Sequence, residues 1–260
     1  MNLAVIYEAL ATLPSGLALT FTLTAASLIA GFSLSVPLAI LRVSRRKWLS
    51  FPVLAYTYAF RGTPLLVQLF LVYYGAGQIS FVRHGVLWPL MREPFWCALL
   101  AFTLNSTAHA TEVFRGGIQA VPRGQIEAAK ALGLTRLQTF RLITFPLMMR
   151  ITLPAYTNEV IGMLKASSLA STITLLEITG LARKLVSATF APYEVFLVAG
   201  ALYVGLTFVV ATLSGALERH WNVANYASGT QVRGRDADIT VPKRLQDGRL
   251  RMTNSQSINQ

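Results

Sequence analysis

Asn158, Glu159 and Lys165 interrupt a run from Met148 to Ala170 that is otherwise apolar except for a few hydroxyls. At helical spacing Asn158, Gly162 and Lys165 fall at i, i+4 and i+7 and share a face, with Glu159 beside it. A second apolar run carries Asn105, Ala108, His109 and Glu112 on one face in the same way. Ionised groups surrounded by hydrocarbon are expensive, so they face a cavity or another polar group. The two faces therefore read as walls of one hydrophilic path, and an acidic group there suits a cationic solute. Glu159 is the leading contact. The alternative, that Glu159 and Lys165 pair with neighbouring helices or snorkel to an interface, stands beside it. Glu112, close to Arg115, reads as a structural or gating ion pair, and His109 as a polar residue bonded within the bundle. Nothing in the chain points to catalysis. Gly-Lys never occurs, which excludes a Walker A loop, and His84, His109 and His220 lack metal-ligand spacing. No cofactor and no metal are expected on this chain, and Cys97 reads as a small packing residue.

The elements that position these residues are membrane helices. Hydrophobic residues make up 53% of the 260 residues and charged ones 13%, and the mean hydropathy is +0.51. That leaves too little polar surface for a soluble globule of this length. Gly16 to Leu41 and Val195 to Leu217 carry no charge, and each is long enough to cross a hydrocarbon core of about 30 Å. Phe95 to Val113 forms a third span if Glu112 reaches an interface or a polar partner. Another begins at Thr63-Pro64, with Thr63 as N-cap and Pro64 in the first helical position, and runs through an apolar stretch broken only by Gln68. Leu49 to Phe60 upstream is interfacial or a continuation, and Arg61 reads as an anchor at the headgroups. The remaining span, from about Met148 to Ala170, holds Glu159, with Pro154 kinking its entry.

The spacing thus predicts an all-α integral membrane protein with about five transmembrane helices, at 16–41, 63–79, 95–113, 148–170 and 194–217. Lys and Arg cluster after the first span, in a central loop and after the last. By the positive-inside tendency residues 1–15 are extracytoplasmic and the polar tail 221–260 is cytoplasmic and flexible. This placement accounts for the net charge of +12 without nucleic acid. The first apolar run ends in a basic cluster, so it reads as a retained anchor and not a cleaved signal.

The central loop, 123–146, is the most specific segment. Glu127-Ala128-Ala129, Gly133, Ile143 and Phe145-Pro146 occur at fixed spacing. Ile126 to Leu132 reads as a short helix with small alanines, ended by Gly133, the residue best able to take φ > 0. A second piece runs from Thr135 to Phe145. With Arg123, Lys130, Arg136 and Arg141 around it, the knob meets water or protein and not lipid.

This loop resembles the EAA loop of ABC importer membrane subunits, with Phe145 where the family has Leu. The resemblance extends from about Thr20 to Trp221. It is carried by Arg61-Gly62-Thr63-Pro64-Leu65 with Val67-Gln68, by Thr103-Leu104-Asn105 with Thr111-Glu112-Val113-Phe114, and by Leu153-Pro154-Ala155-Tyr156-Thr157-Asn158-Glu159-Val160 with Met163-Leu164-Lys165. It is similar to the polar amino acid importers, especially the histidine/lysine/arginine/ornithine and octopine/nopaline permeases.

The resemblance implies a type I importer permease fold and a bacterial inner-membrane location. It implies a loop, with Glu127, Ala128, Ala129, Gly133, Ile143 and Pro146, that docks on a separate ATPase. It also implies a second permease subunit, expected to make a heterodimer, two ATPase copies that bind ATP and Mg, and a periplasmic solute-binding protein. Asn158, Glu159, Gly162, Lys165 and Asn105 are then candidates for the substrate path, and Arg61, Thr63, Pro64 and Glu112 for structure or gating. A secondary transporter or channel independent of ATP is the competing function, and a membrane scaffold without a path a third.

Overall fold

A computed structural model describes residues 2–86 and 88–220, and the tail read at 221–260 lies outside the described residues. Among the described residues every regular element is helical. All of the packing below lies within Met1–Glu218. Helix α1 (Leu3–Thr12) is capped by Asn2 and joined through a 3-10 turn at Leu13–Gly16 to α2 (Leu17–Val43). The sequence reading has no helix ahead of residue 16. One forms because Val5, Ala9 and Leu13 recur one turn apart and bury one stripe against the helices at Ile178–Thr189 and Pro192–His220.

After a basic turn come α3 (Lys47–Gly62) and α4 (Leu65–Ala76), separated only by Thr63 and Pro64. Short turns α5 (Ser80–Arg83) and α6 (Trp88–Met91) lead to α7 (Pro94–Ala120), which runs well past Val113. The loop contributes α8 (Arg123–Ala131) and α9 (Arg136–Thr139). A π-helical turn at Phe140–Thr144 continues directly into α10 (Phe145–Ala166). A 3-10 segment (Ser167–Ile173), α11 (Ile178–Thr189) and α12 (Pro192–His220) complete the described chain. By length and composition, Leu3–Val43 and Pro192–Arg219 are each able to cross a membrane, and Arg136–Ile173 with Ile178–Thr189 forms a further pair bent by 46°. Helix α7 carries Glu112 and Arg115 and the α3–α4 unit is divided, so composition alone does not single them out.

Helix α7 is central and packs on α2, α10, α4 and α3. Cross-helix neighbours fix the directions. Leu23 clusters with Ala98 and Phe102, whereas Ala39 clusters with Phe114, so α2 and α7 run parallel. Met148 joins Phe114 while Met163 joins Phe102, so α10 runs the other way. Small residues permit this closeness. A Cβ on Gly31 of α2 would stand 2.9 Å from the Ser106 hydroxyl, and one on Gly117 would overlap the side chain of Thr152.

Candidate functional site

The break between α3 and α4 organises the middle of the bundle. Thr63 is extended and ends α3, and Pro64 stands at the N-cap of α4, with Leu65 the first helical residue. This corrects the N-cap expected of Thr63 by one position. The Thr63 hydroxyl donates back to the Ala59 carbonyl at 2.9 Å instead of capping forward. A helix that stops inside a bundle leaves carbonyls without partners. Gln68 supplies them: its Nε2 reaches the Phe60 carbonyl at 2.7 Å and the Thr63 carbonyl at 3.0 Å. Asn105 of α7 in turn donates to Gln68 Oε1 at 3.0 Å. The Asn105 side chain is therefore committed to the break and buried, which takes it out of the open path in which the sequence placed it.

Because Phe60 meets Asn105, eleven residues into α7, the break sits roughly 17 Å from the start of that helix. Arg61 consequently lies midway along the bundle, not at the end where a headgroup anchor belongs. One turn further along α7, His109 Nδ1 lies 3.7 Å from Glu159 Oε2 of α10. The structure thus brings Glu159 and His109 together, with Arg61 leaving α3 at about the same depth of the bundle. It leaves Asn158, Gly162 and Lys165 on an exposed stripe of α10. Lys165 lines a groove with Tyr203, Val204 and Phe208 of α12.

Nearer the knob, Glu112 accepts from Arg115 Nε at 2.6 Å and from the Thr57 hydroxyl at 3.2 Å. Arg42 Nε approaches Oε1, the oxygen that also takes the Thr57 hydroxyl, at 3.3 Å, while Arg42 Nη1 donates to Ser50. One carboxylate thereby ties α2, α3 and α7 at a single level. Sequence spacing reveals only the Arg115 partner, because Arg42 and Thr57 arrive from other helices. Glu177 was missed altogether. It is fully buried, accepts from Thr179 N–H and Gly180 N–H at 2.9 Å each, and takes the Tyr203 hydroxyl at 2.7 Å. Its position just ahead of an amphipathic stretch is the N-cap signal that was available.

In the knob, α8 begins at Arg123, three residues before the expected start. It ends in a Schellman closure, with Leu134 N–H bonded to the Ala129 carbonyl and Gly133 N–H to that of Lys130. Gly133 adopts φ +76°, the left-handed conformation this closure requires. Glu127 and Ala128 face outward and Ala129 inward. The second piece is not a separate helix. Thr135 and Gln138 form a capping box, and the chain then winds through the π turn into α10. The wide turn absorbs Pro146, whose ring would clash with the carbonyl four residues earlier in a regular helix. Leu132, Leu137 and Leu142 are 81%, 64% and 66% exposed, an apolar surface unlike the charged residues around it.

Residues 27–223 match the family model described as binding-protein-dependent transport system inner membrane component. The chain belongs to this family. The permease is 50% identical over 213 residues to the octopine transport system permease protein of Rhizobium meliloti, covering 82% of this chain and 87% of the relative. It is 42% identical over 208 residues to the histidine/lysine/arginine/ornithine transport system permease protein of Salmonella typhimurium, covering 80% and 88%. Among solved structures it resembles an amino acid ABC transporter crystallised with histidines, at TM-score 0.74 and 31% identity over 85% of this chain and 99% of that one. The permease therefore has the ABC importer permease fold and is an inner-membrane transport component.

Proposed function

We propose that this chain imports polar, basic amino acids or opines by alternating access, as one of two membrane subunits driven by a separate ATPase. The observation that carries the reading is the knob. A Gly133-hinged pair of helical pieces presents Ala128 and the exposed leucines to the surroundings and leads without a break into α10, which bears Glu159. An apolar patch of this kind fits a protein partner. The permease of Rhizobium meliloti carries octopine in its name, and that of Salmonella typhimurium histidine, lysine, arginine and ornithine. These names favour solutes with a cationic group.

In this reading ATP and Mg sit on two copies of the ATPase, a second permease subunit completes a heterodimer, and a periplasmic binding protein delivers solute at the side of α1. The amino terminus is periplasmic and the basic turns and tail cytoplasmic, in line with the distribution of Lys and Arg. Five crossings, α2, α3 with α4, α7, α10 and α12, alternate in direction.

The test is Gly133→Val in the complete complex reconstituted into proteoliposomes. A β-branched residue is strained at φ +76°, so ATP hydrolysis should continue while uptake of labelled arginine falls by at least about tenfold, a change of roughly 1.4 kcal/mol. Normal uptake per ATP hydrolysed would overturn the docking role of the knob.

A further inference from the structure

Where α2 ends and α3 begins, Arg45, Arg46 and Lys47 stand in three consecutive positions, all exposed. Among the described residues none of them closes an ion pair. No Asp or Glu occurs in the sequence between Glu8 and Glu93, and Glu112, which reaches this end of α2, is already engaged by Arg42, Arg115 and Thr57. The corner itself is held in place: Arg42 Nη1 donates to the Ser50 hydroxyl, which donates to the Arg42 carbonyl, each at 3.0 Å. Three uncompensated cations therefore sit on a fixed corner of the bundle.

Beneath them α3 turns an apolar stripe outward. Trp48, Phe51 and Tyr58 share one face of the helix and are 90%, 67% and 80% exposed, while Val53 and Thr57 on the opposite face are buried. The corner is also recessed from the knob. Arg42 pairs with Glu112, and α7 continues beyond Glu112 to Ala120 before the chain enters the knob at Arg123. That extra length of helix is roughly 12 Å at 1.5 Å per residue. With the corner among headgroups, which extend roughly 5–8 Å beyond the hydrocarbon on each side, the knob clears the membrane and stays free for a protein partner.

A negative charge level with the cations and hydrocarbon along the rings is the complement of this surface. We propose that the α2–α3 corner binds an anionic phospholipid, with Arg45, Arg46 and Lys47 on its phosphate and the Trp48–Phe51–Tyr58 stripe along its acyl chains. The proposal is independent of the solute carried and of how transport is driven.

The experiment uses the complete membrane complex, purified in a neutral detergent and titrated with dioleoyl phosphatidylglycerol or dioleoyl phosphatidylcholine. Native mass spectrometry counts the lipids that stay on this subunit when collisional activation releases it from the complex. The wild type should hold phosphatidylglycerol at least about tenfold more tightly than phosphatidylcholine. The triple variant Arg45→Gln, Arg46→Gln, Lys47→Gln should lose about 10- to 100-fold in affinity for phosphatidylglycerol and keep its affinity for phosphatidylcholine. Removing the same charge at the opposite end of the bundle, with Arg83→Gln, Arg92→Gln and Lys184→Gln, should leave both lipids bound as in the wild type. Trp48→Ala should weaken both lipids alike, because the ring meets chains and not the phosphate. The deacylated headgroup, glycerophosphoglycerol, should not compete.

Equal affinity of the wild type for the two lipids, equal losses in the two triple variants, unchanged binding in Trp48→Ala, or competition by the headgroup alone overturns the proposal. Loss of the ATPase from the complex in the corner variant, with phosphatidylglycerol retained, also overturns it and assigns the corner to that protein. Lipid retention is read without transport, so failure here leaves the transport reading intact.

Discussion

Gln68 bears more of the architecture than its place in an apolar stretch suggests. Its amide is the donor for two carbonyls released where α3 stops, and its carbonyl oxygen receives Asn105. Replacing it by Leu preserves volume but removes its bonds to the Phe60 and Thr63 carbonyls and takes from buried Asn105 its acceptor, at about 1–3 kcal/mol for a group left buried without a partner. The Gln68→Leu complex should melt several degrees below the wild type in detergent, and an unchanged melting temperature would contradict this role. The residue was legible only as a lone polar interruption. What it bonds to comes from the break four to five residues earlier and from α7, and spacing along one strand of sequence cannot report either. Arg61 was misplaced for a related reason. Read with a helix starting at Pro64 it belongs to a membrane surface, but it stands at the end of α3, beside the Phe60–Asn105 contact about midway along α7.

Among the elements, the closest contacts are made where a side chain is missing. Gly31 of α2 meets Ser106 of α7, and Gly117 of α7 meets Thr152 of α10. Gly31→Leu must push two central helices apart, because the obstacle at 2.9 Å is a short buried Ser on a rigid backbone. Overpacking of this kind costs about 1–3 kcal/mol or more, and assembled complex recovered from membranes should fall accordingly. Wild-type recovery and thermal stability would show that the helices tolerate the separation. The Gly133 stop and the two uncharged runs could be read from sequence, since each depends on local spacing or conformation. Helix α1 could not. It is short, and its burial depends on α11 and on the start of α12. The π turn escaped because local spacing does not distinguish it from an α-helical turn, and the piece read as ending at Phe145 continues through it into α10.

At the scale of the molecule, alternating directions of α2, α3 with α4, α7, α10 and α12 place the Glu112 network toward the knob and the Glu177–Tyr203 pair toward the other end. No nucleotide-binding loop occurs in the sequence. On the proposed function, vesicles holding only the permease subunits should show no uptake of labelled arginine under a sodium or proton gradient, and uptake should begin when the ATPase, ATP and the binding protein are added. Gradient-driven uptake without the ATPase would instead favour a secondary carrier.

The uninterrupted winding from Arg136 to Ala166 has a geometric consequence. Glu159 lies thirteen residues beyond Pro146 on the same rod, roughly 20 Å at the rise of an α-helix. If the rod pivots near Pro146, a tilt of about 10° sweeps the carboxylate sideways by roughly 3–4 Å, more than the length of a hydrogen bond. His109 and Arg61 ride on other helices and do not share that arc. A small angular stroke applied at one tip is thus enough to pull the acidic group out of register with its basic neighbours and release whatever is held among them.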